Sequence, residues 1–280
     1  MTESILSNEA PIRLGFFFGI LALMALWELA APRRRLTVSK SLRWINNLVL
    51  VFLNSLVLRL VFPVAALGVA ALAQERGWGL LNALALPAWL KVVAAVLLLD
   101  LLIYAQHVAM HLVPPLWRLH RMHHADLDFD VTTGLRFHPG EIILSMAIKF
   151  AAIAALGAPP VAVLLFEVIL ASTAMFNHSN LRLGLGFDAL LRWVLVTPDM
   201  HRVHHSVVRM ETDSNFGFNV PWWDRLFGTY RAQPADGHDG MTIGIELFRT
   251  RRDLWLDRML IQPLLGKAGN YPINRPGRRD

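Results

Sequence analysis

The sequence predicts an all-α integral membrane fold, with spanning helices and a helical hairpin beneath a His-rich metal-binding cap. Three observations lead there: apolar runs of spanning length, basic residues placed unevenly between them, and histidines clustered at helical spacing. The composition agrees. Of 280 residues, 55% are apolar and 17% charged, against about 25% charged in a typical soluble domain. Mean hydropathy is +0.43. This excludes a disordered chain and argues against an ordinary soluble enzyme. The sequence has no cysteine, which excludes a disulfide scaffold, a thiolate-ligated haem and a cysteine-held iron–sulfur cluster.

The elements follow in order. Ile12–Ala31 is an apolar run of 20 residues, about the length that crosses a hydrocarbon core. Arg33-Arg34-Arg35 follow the run rather than precede it, so it reads as a permanent anchor and not a cleaved signal. Ile45–Ala73 spans 29 residues, which requires tilt or a kink, and Pro63 is the expected kink. A third run extends from Pro87 to about Tyr104. A fourth block, residues 142–176, is interrupted by Gly157-Ala158-Pro159-Pro160 and suits a hairpin turning at that point.

Charge orients these elements. Residues 32–44 hold Arg33, Arg34, Arg35, Lys40 and Arg43 with no acid, whereas residues 74–86 hold only Glu75 and Arg76. The positive-inside rule makes the first connection cytoplasmic and the second external, so the third run returns to the cytoplasm just before His107. Residues 1–106 are expected to form spanning helices. Residues 107–230 are expected to form a His-rich region with its membrane hairpin, and residues 231–280 a cytoplasmic tail. Within that tail, Arg249–Lys267 mixes Arg with Leu, Trp and Met. It suits either a helix lying on the membrane surface or one packed on its own cap. A nucleic-acid partner has no support, because the arginines flank membrane segments.

The 11 histidines are not scattered. His107 and His111 close the third run. His120-Arg-Met-His123-His124 and His201-Arg-Val-His204-His205 repeat one His-x2-His-His pattern. One such pattern arises by chance in roughly 2% of chains of this composition, and two far more rarely. On a helix, positions i, i+3 and i+4 share a face, so each box is expected to offer three imidazoles to one point. Eight clustered histidines exceed one metal's capacity, and two metals fit. Imidazole suits iron, zinc, copper and nickel alike. The boxes contain no carboxylate, unlike the usual two-zinc hydrolase. That favours a redox metal over a membrane zinc hydrolase, and boxes at helix ends rather than mid-span disfavour a metal transporter.

These boxes, their order and their placement resemble the fatty acid hydroxylase/sterol desaturase superfamily of integral-membrane di-iron oxygenases, closest to its bacterial branch. The resemblance covers about Asp100 to Tyr230. It extends to Asp100-x3-Tyr104-x2-His107, Arg136-Phe137-His138-Pro139, Asn177-His178-Ser179-Asn180, Thr197-Pro198-Asp199 and the run Trp223 to Tyr230. It implies two iron ions, with zinc as a substitute in purified protein, and O2 as co-substrate. It further implies a lipid C–H bond to be hydroxylated or desaturated, with electrons from a ferredoxin or cytochrome b5-like donor and its reductase. The location implied is the bacterial inner membrane. By position, His107, His111, His120, His123, His124, His201, His204 and His205 become ligands, with His138 and His178 completing the shell. His238, in a loop with no partner at ligand spacing, is expected to be dispensable.

Four residues near the boxes are candidates to orient ligands: Asp100, Tyr104, Asn177 and Asp199. Asp100, Tyr104, His107 and His111 share one helix face. An acid inside a span faces a polar interior, so Asp100 either orients an imidazole or pairs with Arg59 on a neighbouring span. Asp213, Asn215 and Asp224 are polar neighbours of the last box, and act either behind the ligands or as turn formers. Trp222 and Trp223 are expected at the membrane interface.

Overall fold

The computed structural model of the protein describes residues 7–266. No β-strand occurs among them, only two isolated bridges. Five of the helical runs are long and apolar enough to cross a membrane. Helix α1 is Glu9–Ala30 and α2 is Lys40–Val61. The Ser39 side chain caps α2 by accepting from the Leu42 amide. The expected kink is a break. Pro63 cannot donate a backbone bond and forces Phe62 into an extended conformation (φ −119°, ψ 98°), so α3, Ala66–Glu75, starts as a separate helix.

Helix α4, Ala88–Leu112, runs two turns beyond Tyr104, so His107 and His111 stand on the spanning helix itself. It stops because Pro114 excludes Val113 from helical backbone. Pro114 then opens α5, Pro114–His124, as a helix-compatible first residue. Helices α6, Pro139–Leu156, and α7, Pro160–Asn177, form the hairpin. Gly157 turns the chain with φ +64°, and an added Cβ there would lie 2.3 Å from the Trp78 carbonyl oxygen. The connection after α3 is thereby pinned to the hairpin tip.

The spanning helices pack closely through small residues, including Ala66, Ala70, Ala95, Ala158 and Ala162, around Leu67, Leu99 and Phe166. Large apolar side chains such as Phe52, Leu60 and Trp89 point outward, as a lipid-facing surface requires. At the opposite end from the hairpin tip, residues 31–38 pack on the cap. The Arg33 amide donates to the Asn180 carbonyl, and the Thr37 and Val38 amides donate to Asp128. The two connections distinguished by charge therefore lie at opposite ends of the bundle.

Beyond α7 come α8, Leu185–Leu191, and α9, Pro198–His204, which carries most of the last box. The segment from Arg249 packs on the cap. Its short helix α10, Leu256–Ile261, receives a cap from Asn46 on α2 and places Met259 against Leu50 and Met122. The Arg121 guanidinium donates to the Gln262 and Leu265 carbonyls. This is the second of the two arrangements expected for it. Lys267 and the rest of the tail lie outside the described residues.

Candidate metal centre

Nine histidines converge in two adjoining groups. His107, His111, His120, His124 and His204 form one, and His123, His178, His201 and His205 form the other. Within each group, one ring nitrogen per residue lies within 4.8 Å of every other, and all nine residues are buried. The expectation that each box serves one point is corrected here. In both boxes the i and i+4 residues stay together, His120 with His124 and His201 with His205. The i+3 residue crosses over, His123 to the second group and His204 to the first. On a 3.6-residue turn i and i+4 are only about 40° apart, whereas i+3 and i+4 diverge by about 100°, which separates the two directions. Each group is thus completed by the other box.

The ring nitrogens test whether a cation fits. His107 Nδ1 is 2.7 Å from the Phe216 carbonyl oxygen, His204 Nδ1 2.7 Å from that of Ser214, and His178 Nδ1 2.7 Å from that of Ala174. His120 Nδ1 lies 2.8 Å from Glu141 Oε1. Carbonyl and carboxylate oxygens only accept, so these four rings carry their proton on Nδ1 and turn a lone pair inward at Nε2. Yet His107 Nε2 and His120 Nε2 are 3.1 Å apart. Two facing lone pairs cannot bond each other. In the second group His178 Nε2 is 3.2 Å from His123 Nε2 and 3.0 Å from His201 Nε2. Metal–nitrogen bonds of about 2.0–2.1 Å put neighbouring ligand nitrogens about 3 Å apart, so the donor set fits a metal in each group. Burial, followed by repulsion between the rings, holds His123, His124, His201, His204 and His205 well below the usual histidine range. Burial pushes His178 down to about 3. All six are kept in the neutral form that ligates.

Comparison with known proteins follows this geometry. The fatty acid hydroxylase family model matches residues 92–229, the stretch that contains all nine histidines. Over this stretch the chain is similar to the fatty acid hydroxylase/sterol desaturase superfamily. An ornithine lipid hydroxylase of Rhizobium tropici is 30% identical over 148 residues, covering 53% of this chain and 44% of that protein. The alkylglycerol monooxygenase of Homo sapiens is 31% identical over 148 residues, covering 52% of this chain and 32% of its own length. A fatty acid hydroxylase of Lecanicillium sp is 30% identical over 156 residues, covering 51% and 42%. The matches thus span less than half the length of each of these relatives. No solved structure matches the chain.

The two remaining histidines lie outside both groups, and one of them, His138, was an expected ligand. His138 is the N-cap of α6. Its Nδ1 accepts from the Gly140 amide at 3.0 Å and its Nε2 donates to the Leu260 carbonyl at 3.1 Å, so neither nitrogen faces a group. His138 itself has extended backbone, and its ring contacts the C-terminal segment rather than the cap interior. His238 is buried with Nε2 3.6 Å from Asp199 Oδ2, also outside both groups. We expect His138→Ala to keep full metal content and to cost about 1 kcal/mol of stability, as a lost N-cap does. His178→Ala should lose metal from the second group. Metal analysis of the two purified variants checks this, and equal loss in both would reverse the distinction.

The four orienting candidates do not hydrogen-bond any of the nine clustered imidazoles. Asp199 joins Arg202 and Arg33, bracing the start of α9 to the connection after α1. Asp100 accepts from Trp223 Nε1 at 2.7 Å, not from a histidine or from Arg59, which is exposed. Tyr104 bonds the Thr229 hydroxyl, and Asn177 donates to the Phe218 carbonyl. These contacts hold the segment 214–229 in place. Asp224 accepts from the Phe216 and Gly217 amides, and Asn215, with φ +52°, donates to the Met200 carbonyl. The orienting groups are then the Ser214 and Phe216 carbonyls of that segment. Trp223 is correspondingly a structural donor.

Glu141 is the side chain the sequence reading missed. It stands in the first turn of α6, three residues after His138 and outside every His box. An acid just inside a helix that opens with His-Pro was the available signal. Its Oε1 orients His120 and its Oε2 is buried without a hydrogen-bonding partner. Glu141→Ala should weaken metal retention or turnover by about 10–100-fold, the usual cost of losing such a partner. Glu141→Gln, which still accepts from His120, should recover part of it. Unchanged metal affinity and turnover in the Ala variant would exclude the orienting role.

Proposed function

We propose that the chain is a two-metal, O2-dependent membrane oxygenase that hydroxylates or desaturates a C–H bond of a lipid, with iron as the working metal. The observation that carries this reading is an apolar cavity of about 330 Å³ between the spanning helices, bordered at its upper end by His107, His120 and Glu141. Iron held by these imidazoles would supply O2 activation. The chain's own contribution is to place a lipid segment beside the five-histidine group and keep water away. Phe137 and Phe218 line the cavity, and Phe137 stacks on His123 with ring centroids 4.6 Å apart. Hydroxylation consumes one O2, two electrons and two protons, and returns the alcohol and one water. Electrons come from an external donor, a ferredoxin or cytochrome b5-like protein with its reductase. The names of the relatives, for an ornithine lipid, an alkylglycerol and a fatty acid, support a lipid substrate.

Metal analysis of protein purified with iron supplied, joined to an O2-dependent lipid difference profile of cells with and without the chain, tests this. About two ions per chain and an oxygenated lipid product are expected. Zinc in place of iron in overexpressed protein is compatible with the site. One ion per chain, or a lipid change that persists without O2, would overturn the reading. The Arg33–Arg43 end is assigned to the cytoplasmic side of a bacterial inner membrane. A reporter fused after Arg231 should therefore be active only inside.

A further inference from the structure

The cavity that begins at His107 and His120 ends on charge. Glu141, Ser145 and Lys149 lie four residues apart on one face of α6, and all three line it. Lys149 is eight residues, about 12 Å along the helix, from Glu141. There its Nζ bonds Glu167 Oε1 at 2.9 Å, and Arg13 Nη1 approaches Glu167 Oε2 at 3.2 Å. The Lys149 and Glu167 side chains are 11% and 6% exposed, in the middle of spanning helices. Arg13 and Glu167 also border a second cavity of about 400 Å³, which reaches Glu9 and Arg59. The two cavities share Arg13, Ser55, Leu58, Met146 and Glu167 as a common wall.

At the junction itself Arg13 and Lys149 face Glu167, two cations against one carboxylate, while Glu9 and Arg59 lie together in the second cavity and Glu141 stands at the histidine end of the first. Neither the metal site nor the packing of the hairpin calls for this excess. An uncompensated charge at this depth costs several kcal/mol. Intramembrane ionisable groups that face a cavity belong to a ligand or ion path more often than to the framework. A single oxyanion brought by a ligand would neutralise the excess, and charge-assisted hydrogen bonds from lysine and arginine would hold it.

We propose that Lys149 and Arg13, bridged by Glu167, bind the oxyanion of an amphiphilic lipid whose apolar chain fills the cavity towards His107 and His120. The cluster is then a ruler. It fixes the anionic end about 12 Å along α6 from the level of Glu141, so the carbon presented to the histidines is set by distance from that end. That this carbon is oxidised rests on the function proposed above; the binding itself does not.

The test uses the full-length, metal-loaded protein in detergent and radiolabelled dodecanoate, dodecyl phosphate and dodecanol as probes. At least one anionic probe should bind about tenfold or more tightly than dodecanol, and the comparison of the two identifies the oxyanion as carboxylate or phosphate. Lys149→Met and Arg13→Met should each lose about tenfold for that probe, with dodecanol unchanged. Glu167→Gln should act in the opposite direction and tighten anion binding, an outcome that damaged folding cannot imitate. Metal content reports folding in every variant. Equal binding of dodecanol and both anions, or anion affinity unmoved by all three substitutions, would overturn the proposal. Charge-dependent binding without O2-dependent turnover would instead count against the oxygenase reading alone.

Discussion

Replacing His123 and His204 together by Ala should strip metal from both groups, whereas replacing His123 and His201 together should empty one group and spare the other. The difference follows from the crossing of the boxes. His123 and His201 belong to the same group although they come from different boxes, and His204 belongs to the group of His107, His111, His120 and His124. If each box held its own ion, the two double variants would behave alike, each losing one ligand per metal. An imidazole lost from a buried group is not replaced by the rings packed on it, because Phe129, Phe216 and Phe218 offer no donor. About two ions per chain in the wild type should fall to about one for His123→Ala/His201→Ala and below one for His123→Ala/His204→Ala. Turnover should be abolished in both, since the proposed chemistry needs both metals. Elemental analysis settles it, and identical stoichiometry in the two variants would defeat the crossed assignment.

Arg43→Met should cost about 3–5 kcal/mol of stability, the penalty for stranding buried partners of an ion pair. Arg43 is fully buried at the foot of α2. Its Nε and Nη2 grip Asp126 at 2.7 and 2.8 Å, Nη1 contacts Asp130, and Nη2 donates to Thr133 Oγ1 at 2.9 Å. The fork matches the carboxylate as a lysine ammonium cannot, so Arg43→Lys should recover only part of the loss. Adding Asp126→Asn and Asp130→Asn to the Met variant should restore stability, because the unpaired charges are then gone. Thermal unfolding of the purified variants provides the readout. A Met variant within about 1 kcal/mol of wild type would show that the cluster contributes nothing net. The pairing also bears on function. Asp126 stands two residues after His124, so Arg43 fixes the end of α5 against a spanning helix.

Much of this protein can be read along the chain. The spans, the hairpin with its Gly157 turn, and the ends that share a side follow from apolar run length, proline and glycine positions and arginine placement. Those signals are local, so no tertiary information is needed to use them. Eight of the nine converging histidines stand out by spacing alone, because ligand pairs on one helix must recur at i, i+3 or i+4. The ninth, His178, has no such neighbour and was carried by resemblance only.

What the tertiary structure decided is everything that depends on direction rather than position. One box sends its imidazoles to two places, since adjacent residues on a helix diverge and a second helix offers the complementary pair. His138 and His178 are equivalent in sequence terms, each a single histidine at a hairpin end. One caps α6 with both nitrogens engaged, while the other turns Nε2 towards His123 and His201. Asp100, Tyr104, Asn177 and Asp199 have the right chemistry to orient imidazoles. The groups that do so are the Glu141 carboxylate and the backbone carbonyls of Ala174, Ser214 and Phe216, and a carbonyl has no signature in a sequence. The meeting of Arg13, Lys149 and Glu167 is of the same kind. They lie on three different helices, and only the packing of α1 against the hairpin brings one carboxylate between two cations.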